Sequence, residues 1–299
     1  MVYIREDMDL FDACSTNYAF NEIGELAKAK SMQQFYIILS DHLKYFYSNP
    51  KDAEYAFEDP LSKKHCWKFG DFDFANYSLT WDEALRVLQA VYADHPLLFF
   101  ADKYKTGGYP QGGTITPIID AECARGDFRC FYASKIENEI RRLSGDIIVG
   151  TGCREAALKV YHRISNDTYY DDSKGDGYRI KYTDIPSHSV LNFVRNRAAV
   201  CESFALVYQA VMNYLSIPAV EISVNTKNGK HACNFIYLTD DKKWIMVDPT
   251  LGVTCKNESG FDLPVGTYDK WVKSPEDDEY HANMPDYSYI WNRYLEQHR

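Results

Sequence analysis

The chain has 299 residues, 45% of them hydrophobic and 25% charged, a balance found in folded globular domains rather than in disordered or fibrous chains. At ~100–200 residues per domain, this length fits one large domain or two modest ones. A formal net charge of −10 repels phosphate backbones and anionic lipid, so neither nucleic acid nor a membrane surface is expected as a partner.

No stretch reaches the ~20 consecutive apolar residues of a membrane-spanning helix, and the opening residues have neither a basic segment nor an apolar core of the export type. The expectation is a water-soluble, cytoplasmic protein, although a secreted chain already trimmed of its leader would read the same way. Cysteines stand at 14, 66, 123, 130, 153, 201, 233 and 255, scattered through a chain too long to need disulfide stapling. Most are expected to be reduced and buried.

From Phe20 to Tyr47, apolar residues recur at helical spacing (Ile23, Leu26, then Phe35, Ile38, Leu39, Leu43, Phe46), which predicts one or two helices ending before Asn49-Pro50. Residues 48–79 read as irregular. Thr80 and Glu83 form a capping-box pattern at the start of a helix to about Ala93, and Asp94-His95-Pro96 stops it. A β-like pair follows, Leu97 to Ala101 and Gly113 to Ile119, split by a loop at Gly107-Gly108-Tyr109-Pro110. Helices are predicted at about 128–143 and 153–165, and the polar, Tyr-rich stretch 166–187 reads as a surface loop. A helix from about Cys201 to Leu215 precedes short strands at 218–224, 231–238 and 243–248. Helix followed by strands argues an α+β fold, divided into a mostly helical region over 1–125 and a second domain over 126–299.

Three residues can do chemistry together. A cysteine that opens a helix, as Cys201 does, sits at free N–H groups and the positive end of the helix dipole, which favour a thiolate. Alone it is equally an apolar residue at the edge of a core helix. His231 follows a Lys-Asn-Gly-Lys turn and opens an apolar strand, a place exposed enough for proton exchange, though half-buried surface histidines are common there too. Asp248 ends an alternating strand before Pro249; it can accept the Nδ1 proton of His231 and fix its tautomer, or simply start a turn.

The combination resembles the transglutaminase-like superfamily. The residues carrying the resemblance are Val200-Cys201, His231-Ala232-Cys233-Asn234 and Trp244-Ile245-Met246-Val247-Asp248-Pro249-Thr250, with Leu215-Ser216-Ile217-Pro218-Ala219 where the family has Gly-Ile-Pro-Ala. More faintly, Asp94-His95-Pro96-Leu97-Leu98-Phe99 and Thr168-Tyr169-Tyr170-Asp171 resemble upstream segments of bacterial members. The resemblance implies a papain-like core, with the helix of the nucleophile packed on an antiparallel sheet, in a catalytic domain over 126–299. It also implies a catalytic Cys201, His231 and Asp248, and Tyr170 as a candidate oxyanion stabiliser beside the Cys201 N–H. The same tyrosine also fits a plain packing role. The sequence departs from the family at Cys233, where Trp is usual, at Glu202, whose carboxylate beside a thiolate opposes its charge, and at Ser216. Strand alternation puts Cys233 on the His231 face, as a small hydrophobe, an oxidation partner of Cys201 or a metal ligand. The tail from Tyr268 to His281 reads as structural.

The implied activity is cysteine-dependent acyl transfer on a peptide or amide through a thioester, with no cofactor and no metal. Water as acceptor gives a protease, peptidase or amidase and is the default; a primary amine gives a transglutaminase. The substrate is then a peptide or protein, and the many tyrosines suit a groove for an extended peptide or glycan. Two other classes fit the residues: a catalytically silent peptide- or glycan-binding module, and a zinc-binding domain using Cys201, His231, Cys233 and Cys255 without paired Cys-x-x-Cys knuckles. The oligomeric state is not legible.

Overall fold

A computed structural model of the chain describes residues 1–59, 63, 65–171, 188–274, 276–277 and 279–298. Contacts divide it into two units, one of Met1–Thr16, Lys135–Val272 and Asp286–Arg299, the other of Asn17–Ser134 and Lys273–Pro285. This division is not a cut at 125. The first sixteen residues go with the later part of the chain, and residues 273–285 go with the earlier part.

Short helix α1 (Leu10–Ala13) starts where the Asp9 carboxylate accepts from the Phe11 N–H. The Asn17–Ser134 unit begins with α2 (Tyr18–Ile23) and α3 (Ala29–Tyr47), the expected pair ending before Asn49-Pro50. Buried Asp94 supplies the missing cap of α2, accepting from the Ala19 and Phe20 N–H groups at 2.9 and 2.8 Å. Residues 48–79 are not irregular throughout: they contain strands β1 (Glu54–Glu58), β2 (His65–Lys68) and β3 (Phe72–Asp73). With two to five residues each, and with polar, exposed Glu54, His65 and Asp73, these strands offer too little alternation to be read from sequence.

Helix α4 (Trp81–Asp94) opens with both bonds of its capping box: Thr80 Oγ1 accepts from the Glu83 N–H, and the Glu83 carboxylate accepts from the Thr80 N–H. Strands β4 (Ala101–Tyr109) and β5 (Thr114–Ile119) pair; β5 falls where the second strand was expected, but β4 shares only Ala101 with the expected Leu97 to Ala101, whose other residues form turns after Pro96. Gly107 and Gly108, expected in a loop, lie within β4. Gly108 takes φ +139, and a Cβ there would sit 2.4 Å from the Thr114 carbonyl oxygen, so the glycine marks a close strand approach rather than a break. The five strands form one sheet ordered β1-β2-β5-β3, with β4 also on β5. Helix α5 (Gly126–Ser144) follows, and the line between the units falls inside it.

In the other unit, α6 (Cys153–Asp167) leads to β6 (Tyr169–Tyr170), which pairs in parallel with β7 (Ala198–Ala199) after the short α7 (Val190–Asn196). Residues 172–187 of the expected surface loop lie outside the described residues. Helix α8 (Cys201–Tyr214) packs on β8 (Ala219–Thr226) and β9 (Gly229–Leu238), with β10 (Lys243–Val247) completing the hairpin series. Helix α9 (Pro249–Cys255) follows directly, and β11 (Asp269–Lys270) adds to the far edge, giving an antiparallel order β10-β9-β8-β11. The last helices are α10 (Glu279–Asn283), in the unit of Asn17–Ser134 and Lys273–Pro285, and α11 (Ser288–Gln297), packed against β10.

Every residue of α8 from Glu202 to Tyr214 is buried, so the helix is surrounded rather than amphipathic. Its polar side chains therefore all need partners. Asn213 accepts from the Ala219 N–H and donates to the Cys14 carbonyl, Gln209 accepts from the Glu221 N–H, and Tyr208 donates to the Ala157 carbonyl. These bonds fix the height of α8 against the start of β8. Between them Ser216 takes φ +55, the left-handed conformation a glycine would adopt without strain. The fold is α+β, with helix α8 packed on an antiparallel sheet, as the sequence implied. Among the described residues no helix is long and apolar enough to cross a membrane.

Candidate active site

Antiparallel pairing gathers the site at one end of the β8–β10 sheet. Val247, the last residue of β10, pairs with Asn234 near the start of β9, so Asp248 lies one step beyond the ladder beside the end of β9 that carries His231. The ring Nε2 of His231 is 2.8 Å from Oδ2 of Asp248. The expected Nδ1 contact is thus replaced by Nε2, because Asp248 lies past the ladder's end and meets the far side of the ring. Nδ1 is left as the nitrogen for a second partner, and the Cys201 side chain is near enough to push the imidazole's pKa up.

Cys201 is the first residue of α8, half-buried and free of any disulfide. Its preceding residue, Val200, has no oxygen side chain to cap the helix, so the first-turn N–H groups receive no bond from that position. The sulfur therefore sits at an uncapped, positive helix end.

Asp248 is 0% exposed and accepts on both oxygens. Oδ1 takes the N–H groups of Thr250 and Leu251 at 2.9 and 3.4 Å, as the N-cap of α9, while Oδ2 takes His231 and the Tyr268 hydroxyl, the latter at 2.6 Å. A buried carboxylate needs such donors, and here each oxygen has two. Burial disfavours the charged form of His231, but hydrogen bonds to Asp248 and Cys201, reinforced by their charges, outweigh it. The imidazole is pushed up from 6.5 to about 10. The setting thus favours the protonated ring at neutral pH.

The remaining residues singled out by sequence fall as follows. Tyr170 pairs with Ala199 across the β6–β7 ladder, and the Asp171 N–H donates to the Ala199 carbonyl, so Tyr170 runs alongside the residues just before Cys201. Glu202 is buried and its carboxylate lies 3.0 Å from His188 Nδ1, so it has a cationic or donor partner of its own. Cys233 is fully buried; burial above all, then the charges of Asp248 and Cys201, push its thiol well above the ordinary range, which keeps it protonated and inert. Cys255 is exposed at the end of α9, and among the described residues no group of three or more His, Cys, Asp or Glu is disposed to hold a metal.

The residue that sequence reasoning passed over is Tyr268. Besides its bond to Asp248, its ring lies 5.7 Å from that of His231 at an interplanar angle of 55°. Burial, then Asp248, pushes its phenol well above 10, so it is a neutral donor. The only sequence signal was a tyrosine two residues before Lys270, in a segment with no strand periodicity.

Residues 146–249 match the family described as Transglutaminase-like superfamily. A comparison with curated proteins found no match. Among solved structures, a candidate cysteine protease from Cytophaga hutchinsonii is similar at 21% identity over 46% of this chain and 40% of that one, with a TM-score of 0.31. A TGase is similar at 18% identity over 63% of this chain and 57% of that one, with a TM-score of 0.36. The match thus spans less than two thirds of the length of either. The family assignment rests on the sequence match, and residues 146–249, which include Cys201, His231 and Asp248, are a transglutaminase-like superfamily domain.

Proposed function

We propose that this domain is a cysteine-dependent acyl-transfer enzyme that hydrolyses peptide or amide bonds through a thioester on Cys201. One observation carries the reading: a single imidazole, His231, holds a buried carboxylate through Nε2 and lies close enough to the Cys201 side chain for the two to influence each other. An imidazolium beside a sulfur at a helix N-terminus favours the thiolate of the pair.

In the proposed cycle the Cys201 sulfur attacks the carbonyl carbon and its oxygen takes the negative charge. The backbone N–H of Cys201 and the Tyr170 phenol are the donors proposed for that oxygen, on the strength of the ladder that runs Tyr170 beside Ala199. The C–N bond then breaks as the His231 imidazolium gives its proton to the leaving nitrogen, and a thioester remains. Neutral His231 next takes a proton from water while the water oxygen attacks the thioester carbon. Collapse expels the Cys201 thiolate and releases a carboxylic acid. Asp248 holds the imidazole orientation throughout.

The test combines thiol labelling with product analysis. Iodoacetamide should alkylate Cys201 rapidly below about pH 7, well ahead of the other thiols, and His231→Ala should abolish the advantage. With a denatured protein substrate, mass spectrometry should find an acyl adduct on Cys201 and new peptide termini, both missing in Cys201→Ala. Incorporation of an added primary amine in place of cleavage would replace hydrolysis with transglutaminase chemistry. Alkylation of Cys201 no faster than that of exposed Cys255 would overturn the catalytic reading and leave a binding module.

A further inference from the structure

We infer that Tyr268 is a positioning residue of this site: by donating to the same Asp248 oxygen that holds His231, its phenol sets how tightly the carboxylate grips the imidazolium. This rests on the catalytic reading of Cys201, His231 and Asp248 proposed above.

The placement comes from the backbone. Strand β11 pairs Lys270 with Val224, and Val224 pairs with His231 on its other side, so the residues just ahead of β11 pass close to the imidazole. The phenol then reaches Asp248 Oδ2 at 2.6 Å while His231 Nε2 holds the same oxygen at 2.8 Å. An ionised carboxylate has about four acceptor positions, and here Thr250, Leu251, His231 and Tyr268 each supply a donor. Two donors on one oxygen share its charge. Remove the neutral one, and the oxygen pulls harder on the cationic one that remains.

That pull matters in the proposed cycle because His231 must both stabilise the thiolate and surrender its proton to the leaving nitrogen. An imidazolium held too tightly is a poor acid. Phenylalanine would preserve the tilted ring contact with His231 but not the donation, so the hydroxyl is the part that tunes the site. The titratable groups around the imidazole are Asp248 at the start of α9, Cys201 at the start of α8, Cys233 on β9 and Tyr268 itself. Glu202 is engaged with His188, and the Lys230 ammonium lies over the Trp271 ring. None of the other groups donates to Oδ2 in the position Tyr268 holds.

The experiment reads the His231 titration by histidine-selective NMR in the full chain, for wild type, Tyr268→Phe and a protein carrying 3-fluorotyrosine at position 268. Tyr268→Phe should raise the imidazole midpoint by about half to one pH unit, and the fluorinated phenol, a stronger donor, should lower it. The fluorinated protein keeps the hydroxyl and so remains informative if Tyr268→Phe fails to fold. Midpoints that coincide, or that move in the same direction, overturn the assignment and leave Tyr268 as a packing residue. Cys201 alkylation, measured in parallel on wild type, reports on the catalytic reading separately: a slow Cys201 sinks that reading even where the His231 midpoint responds to Tyr268.

Discussion

Replacing Asp248 by Asn tests the site with the least disturbance to the fold. Asparagine is as good an N-cap as aspartate, so its Oδ1 can keep the Thr250 and Leu251 N–H bonds that start α9. The amide nitrogen must then face His231 and Tyr268. Where Oδ2 accepted, an N–H now donates, so Nε2 can bond to it only as an acceptor in the neutral ring. The elevation of His231 from 6.5 to about 10 corresponds to roughly 5 kcal/mol at 1.36 kcal/mol per pH unit, shared between the influences of Asp248 and Cys201. The side chain of His231 is only 16% exposed, so solvent screens little of it. If the carboxylate supplies about half, its loss is worth roughly 3 kcal/mol, or about 100-fold in the population of the thiolate–imidazolium pair. The assay is the second-order rate of iodoacetamide alkylation at Cys201 near pH 6, with thermal melting to confirm the fold. Asp248→Asn should alkylate about 100-fold more slowly than wild type there and approach it as pH rises to about 9. Equal rates near pH 6 in a folded variant would refute the view that Asp248 sustains the imidazolium.

Two further outcomes concern the Asn17–Ser134 unit. Asp102 is 1% exposed, and burial, only partly offset by Lys105, pushes its carboxyl from 3.8 to about 7. A raised folded value favours the protonated form, so the stability this group contributes is full below about 3.8 and is lost as pH rises through about 7. Asp102→Asn, which keeps an acceptor for the Tyr104 N–H, should therefore raise the melting temperature at about pH 8, by the equivalent of about 2 kcal/mol, with the gain shrinking towards pH 5. A gain that is constant with pH would show that the carboxyl is not the cause. Arg129, 0% exposed, donates to the carbonyls of Phe46, Asn49, Lys51, Cys123 and Ala124 and lies 4.5 Å from the Phe69 ring centroid. Arg129→Met should lower the urea midpoint by the equivalent of about 4 kcal/mol or more, and Arg129→Lys should not restore it, because an ammonium cannot span five carbonyls. Full rescue by lysine would show that charge, not the guanidinium fork, is what the carbonyls need.

Much of the site was legible because its parts announce themselves locally. Cys201 at a helix start, His231 at the opening of a strand and Asp248 before Pro249 each follow from short-range pattern, and antiparallel neighbours bring a strand's start and the following strand's end to one edge. The α3, α4, α5, α6 and α8 helices were likewise readable from spacing and caps. Strands β1 to β3 were not, being too short and too charged to alternate visibly. The loop reading of Gly107-Gly108 failed for a related reason: a glycine that permits close strand approach and a glycine that breaks a strand look the same in one dimension.

The sequence by itself determined the α+β character, the residues brought together around His231 and the absence of any long apolar span, since periodicity, caps and turn residues act over a few neighbours. Tertiary structure alone decided which ring nitrogen meets Asp248, that Glu202 is occupied by His188, that Cys233 is buried into inertness, and that Tyr268 completes the carboxylate's shell. Each of these depends on the register between strands or on the depth of burial. Those quantities are set by how whole elements pack, and no local spacing encodes them.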